Sequence, residues 1–90
     1  MSIKEMLNDS SYDDVVYFTD FSYDDAIIGI DSNNRLVYDY SKMVEWLIRE
    51  EEFSDQDAME WIDYNTIRAL PYIDNQTDGK APIIVYPIDW

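Results

Sequence analysis

The residues best able to do chemistry in this chain are its carboxylates: twenty Asp and Glu stand against six Lys and Arg. They come in groups. Ser11-Tyr12-Asp13-Asp14 and Ser22-Tyr23-Asp24-Asp25 place the same doubled acid ahead of two apolar runs, which end at Asp20 and Asp31. Glu50-Glu51-Glu52, followed by Asp55 and Asp57, forms a third group. What such residues do with no His or Cys in the chain is present negative charge and pair with Lys and Arg of a partner. The net charge of −14 exceeds the magnitude of about 2–8 that keeps a small domain soluble. Self-repulsion at that level opposes compaction, so solubility alone does not require it.

Other chemistry is poorly provided for. There is no His and no Cys, which removes Ser-His-Asp and Cys-His catalysis and the usual zinc sites. No GxxxxGK[ST] or GxGxxG motif occurs, and Gly29 and Gly79 stand alone. Asp74-Asn75-Gln76-Thr77-Asp78-Gly79 echoes the start of a calcium loop, but Gln76 sits where a third-position ligand belongs and Val85 where the closing Glu belongs. It reads as a turn. Paired carboxylates run glycoside hydrolysis only in a cleft that desolvates one of them, and a domain this small has little volume for one. The expectation is a non-enzyme with no cofactor and no metal.

Partners are bounded by the same sign of charge. No basic patch exists to displace counterions from phosphates, so direct nucleic-acid binding is not expected. Anionic membranes would repel the chain, and no stretch approaches the ~20 apolar residues of a spanning helix. No basic n-region precedes an apolar h-region, which points to the cytoplasm.

The elements that must position these acids belong to one domain, residues 1–90. Ser2-Ile3-Lys4-Glu5 has capping-box spacing for a short first helix. Val15–Thr19, Ala26–Ile30 and Arg35–Tyr40 read as a three-stranded antiparallel meander turning at Asp20–Asp25 and at Asp31-Ser32-Asn33-Asn34. Ser41 is placed to cap a helix in which Met43, Val44, Leu47 and Ile48 share a face. Ser54 caps the next, with Ala58, Met59 and Ile62 on one side and Trp61 flanking, up to a stop at Pro71. Asp74–Lys80 is a polar turn, and Ile83-Ile84-Val85 centres a last strand. The order αβββααβ describes an α+β domain, an antiparallel sheet with helices packed on one face.

In that arrangement Asp13 and Asp14 would approach Asp31 at one sheet edge, and Asp24 and Asp25 would approach Asp20 at the other. Asp is a turn former, which accounts for each position singly but not for the missing Lys beside it. Asp55 and Asp57 fall in a first helical turn, where the helix dipole favours anions. Glu50, Glu51 and Glu52 close a helix, where it disfavours them by a few tenths to about 1 kcal/mol each. Ninety residues fold to a body about 30 Å across. Duplex DNA of that length carries about 18 phosphate charges, close to the charge of this domain.

Asp24-Asp25-Ala26-Ile27-Ile28-Gly29, Val37 to Leu47 (VYDYSKMVEWL) and Trp61 to Tyr72 (WIDYNTIRALPY) together resemble a group of small acidic proteins of Firmicute bacteria and their phages. The resemblance spans about Asp24 to Tyr86. It implies a phage or prophage setting and brings no activity or residue role with it. Strongly acidic phage proteins of this size are similar in character to DNA mimics that inhibit restriction enzymes, uracil-DNA glycosylase, CRISPR nucleases or histone-like proteins. The expectation is an inhibitor, monomer or homodimer, occupying the DNA-binding cleft of a basic host protein. Its contacts would be the strand-edge acids, the Glu50–Glu52 run, Asp55, Asp57, and exposed Tyr12 and Tyr23. The alternative is a small interaction module that docks through apolar and aromatic surface.

Overall fold

The computed structural model describes residues 15–19 and 21–88. The expected N-terminal helix lies outside them, as do Tyr12, Asp13, Asp14 and Asp20. Within them a 3-10 turn, Asp24–Ala26, leads into β1 (Ile27–Ile30) and β2 (Leu36–Asp39). Helix α1 (Tyr40–Glu51) follows at once, then α2 (Asp55–Trp61), a π turn (Ile62–Ile67), α3 (Arg68–Gln76) and β3 (Ile83–Val85). The result is a compact α+β fold with a three-stranded mixed sheet in the order β1-β2-β3.

The β1–β2 hairpin forms as its turn residues require. Asp31 Oδ1 accepts from the backbone N–H of Asn33 (2.9 Å) and Arg35 (2.8 Å), and Asn34 takes the left-handed conformation at φ 63°. Ile28 is an extra residue between the Ile27–Tyr38 and Gly29–Val37 pairs, and that bulge turns it out to 46% exposure. On β2 the alternation is clean: Leu36 and Tyr38 are fully enclosed and pack with Met43, Leu47, Ala58 and Ile62 of the helices.

Residues Val15–Thr19 do not form the expected strand; the chain there is irregular. Parity explains why. Val15, Phe18 and Tyr23 are all buried, yet a strand sends odd and even positions to opposite faces. An irregular path lets them point inward together. Phe18 lies 4.8 Å from the Tyr38 ring and 5.8 Å from Tyr23, centroid to centroid, and the Tyr38 hydroxyl accepts from Phe18 N (3.4 Å).

The sheet is not antiparallel throughout, because β3 runs parallel to β2, with Val37 beside Ile83 and Asp39 beside Val85. Two cations set that direction. Arg35 Nε donates to Ala81 O (2.8 Å) and Lys80 Nζ to Asn33 O (2.9 Å), so the returning chain is latched at the start of β2. Parallel neighbours need a long crossover, supplied here by the helices. Pro82 and Pro87 flank β3, which blunts the edge against further pairing.

Two helix boundaries differ from expectation. Asp39, not Ser41, caps α1: its Oδ1 accepts from Lys42 N (3.1 Å), since β2 runs into the helix with no linker. Pro71 does not stop the second helical run but sits inside α3. The carbonyl its missing N–H would have reached is that of Ile67, four residues back and the last residue of the π turn. A π turn is wider than an α turn, which relieves the clash of the proline ring with that carbonyl. Ser54 does cap α2, accepting from Asp57 N (3.1 Å).

The cap assignment has a direct test in urea denaturation. Asp39→Ala should lower unfolding free energy by about 1 kcal/mol, whereas Ser41→Ala should stay within about 0.5 kcal/mol of the wild type.

Candidate functional site

From Glu50 to Asp63 the chain carries seven carboxylates (Glu50, Glu51, Glu52, Asp55, Asp57, Glu60 and Asp63) and no Lys or Arg. All seven are exposed. They follow the end of α1, the three-residue connection and the outward side of α2 into the π turn. Local rules account for their placement. Ala58 and Ile62 face the core, and Met59 and Glu60 between them turn to solvent. Glu52 closes α1 in the left-handed conformation, φ 59°, its N–H on the carbonyl of Leu47, which a non-glycine residue adopts at some cost.

Asp57, Glu60 and Asp63 follow one another at three-residue steps from α2 into the π turn, whereas Asp55 lines a different depression from Asp57 and Glu60.

The expected acids are brought together only in part. Asp25 joins the Glu run through Arg49, whose Nη2 lies 2.6 Å from Asp25 Oδ2 and whose Nε lies 3.6 Å from Glu50 Oε2. Asp24 is half-buried, and its charge helps raise the Tyr17 and Tyr38 phenols, though loss of solvent is the larger cause in both. Asp31 is a turn former at the far end of β1 from Asp25, a strand of four residues away. The expected pairing of strand-edge acids does not arise, because Val15–Thr19 is not a strand. Tyr23 is not an exposed contact: it is 1% exposed, and its hydroxyl lies 2.9 Å from Thr66 Oγ1. Sequence reasoning missed Glu60 and Asp63, although successive three-residue steps from Asp57 put them on one helical side.

Two shallow depressions flank this strip. One is walled by Phe53, Trp61 and Tyr64 with Asp57, Glu60 and Asn65. The other lies between α1 and α2, with Val44, Ile48 and Met59 among its lining and Glu45 and Asp55 beside them. Tyr40 closes the second, its hydroxyl donating to Asp63 Oδ1 (3.3 Å) and its ring 4.8 Å from that of Tyr86. Loss of solvent, then the charge of Asp63 and that hydrogen bond, push the Tyr40 phenol up to about 12.

Compared with known proteins, the chain matches no family model, no curated protein and no solved structure. Among the described residues no helix is long and apolar enough to cross a membrane.

The raised phenol fixes the sign of a pH dependence. Above its ordinary value of 10.0 the unfolded chain gives up a proton that folded Tyr40 keeps until about 12. Stability is therefore full below pH 10.0 and falls as pH rises through about 12. Asp63→Asn should lower the pH at which Tyr40 ionises without restoring the ordinary value, read as phenolate absorbance in a pH titration.

Proposed function

We propose that this protein is a non-enzymatic inhibitor that presents carboxylates in place of DNA phosphates and occupies the DNA-binding cleft of a basic host protein. An anti-restriction, anti-CRISPR or similar counter-defence role in a phage-infected cell is the setting. The observation that carries the reading is the stretch of sequence from Glu50 to Asp63, seven exposed acids with no base among them. Long-range attraction would speed encounter, and Lys and Arg of the target would then pair with the strip. Glu50 and Glu51 in the last turn of α1 work against the helix dipole. A feature kept at the expense of stability is easier to understand as a contact than as decoration.

A second reading, a module docking through apolar surface, is favoured by the Val44–Ile48–Met59 depression and by Tyr86 and Ile88, 60% and 73% exposed. The two diverge in salt dependence. Retention of host proteins on the immobilised chain, eluted with a salt gradient, should yield DNA-binding proteins that duplex DNA also displaces. Capture indifferent to salt and to DNA would favour docking through apolar surface.

The Glu run offers a sharper test with the captured partner. Combining Glu50→Gln, Glu51→Gln and Glu52→Gln should weaken binding by about ten-fold or more at low salt. The same variant should unfold at equal or higher urea, since relief at the helix end is worth about 0.3–1 kcal/mol per charge. Unchanged affinity would remove the Glu run from the interface.

A further inference from the structure

The depression walled by Phe53, Trp61 and Tyr64 has a chemistry of its own. Asp57, Glu60, Trp61 and Tyr64 stand at i, i+3, i+4 and i+7 of one helical run, so they share a side. Phe53 arrives from the α1–α2 connection, its ring 6.2 Å from that of Trp61 at 65°. Behind them Phe21 packs on both, 5.2 Å from Trp61 and 6.1 Å from Phe53, which holds the two rings at fixed angles. At the lower lip the Asn65 side chain is tied down, its Nδ2 donating to Trp61 O (3.2 Å). The space they bound is about 370 Å³, open to solvent and lined by no base. Tyr64 is a large ring left 61% exposed.

Aromatic faces edged by carboxylates select a cation. The rings offer the negative faces of their π systems, and the carboxylates supply full charges. Among cations the geometry favours a guanidinium over an ammonium. Open ring faces suit a flat, weakly hydrated group that stacks, and two carboxylates one turn apart suit a fork of several N–H donors. The chain already shows the affinity of one wall: its own Arg68, which is not part of the lining, holds Cζ 5.0 Å from the centroid of the Tyr64 ring.

We propose that this dish is an arginine subsite, in which the guanidinium of a partner's arginine stacks on Trp61 and Tyr64 and is held by Asp57 and Glu60. It rests on the reading of a basic partner only for which protein carries the arginine. It gives the charged strip a point of fixed register, which scattered Coulomb attraction does not.

The test uses the full chain and a small probe, so it stands apart from the identity of the target. Nα-acetyl-arginine amide is titrated into 15N-labelled protein, with Nα-acetyl-citrulline amide as the uncharged match in shape and Nα-acetyl-lysine amide as the ammonium control. Arginine should produce saturable shifts at the Asn65 side-chain amide and at backbone amides around Phe53 and Trp61, with citrulline and lysine at least about five-fold weaker. Glu60→Gln and, separately, Tyr64→Ala change exposed groups. Each should weaken arginine by about three-fold or more while leaving the remaining amide spectrum in place. Equal response to citrulline, equal response to lysine, or shifts that both variants leave untouched would each overturn the subsite. A flat arginine titration beside salt-sensitive capture of DNA-binding proteins would reject the dish and leave charge mimicry standing. The converse pair of results would reject mimicry and leave the dish.

Discussion

Coulomb repulsion within a small body is the constraint on which the rest of this structure depends. A net charge of −14 is held within a radius of gyration of 13.0 Å. Two like charges ~20 Å apart in water repel by only about 0.2 kcal/mol, but the pairs number in the dozens. At low salt their sum rivals the ~5–15 kcal/mol by which a domain is stable. At physiological ionic strength a screening length of about 8 Å removes most of it. The fold has to be held by forces indifferent to charge, and it is: the centre is a cluster of rings and aliphatic side chains that joins the sheet to α1, α2 and the π turn.

The few cations are deployed where direction matters. Arg35 and Lys80 donate to backbone carbonyls and thereby fix where β3 lies. Arg49 ties the 3-10 turn to the end of α1 through Asp25, and Arg68 holds its Cζ 5.0 Å from the centroid of the Tyr64 ring, on one face of it. Between Glu50 and Asp63 there is no cation at all. An even sprinkling of charge would have been the gentler arrangement for a body this crowded with anions. The sequence instead concentrates acids on the α1–α2 corner and leaves them in water.

One aromatic group serves both the fold and that corner. Phe21 lies against Trp46, Phe53 and Trp61, and Tyr23 is 5.5 Å from Trp46. The irregular segment before β1 is thus the wedge behind the acidic surface. Core packing and the orientation of the surface rings are consequently one problem, solved by the same side chains.

The sequence by itself determined what depends on near neighbours. The charge, the lack of His and Cys, the β1–β2 hairpin with its Asp31 turn, the buried stripe of α1 and the Ser54 cap of α2 can all be read from composition or from spacing within a few residues. The acids of the Glu50–Asp57 stretch were legible as charge, although Glu51, four residues after buried Leu47, lies on the core side by periodicity and reaches solvent because the helix ends there. Only the tertiary structure decided the rest. Val15–Thr19 has the composition of a strand, but the demand that Val15 and Phe18 both enter one core overrides its periodicity. Tyr23, placed by composition among exposed contacts, is drawn in by Phe18, Trp46 and a hydroxyl forty-three positions away in the chain. The parallel course of β3 rests on two side chains reaching carbonyls more than forty positions distant. Pro71 is tolerated because the turn before it is wide. Each of these outcomes turns on contacts that close only when the chain has folded, and no local pattern of residue types encodes them.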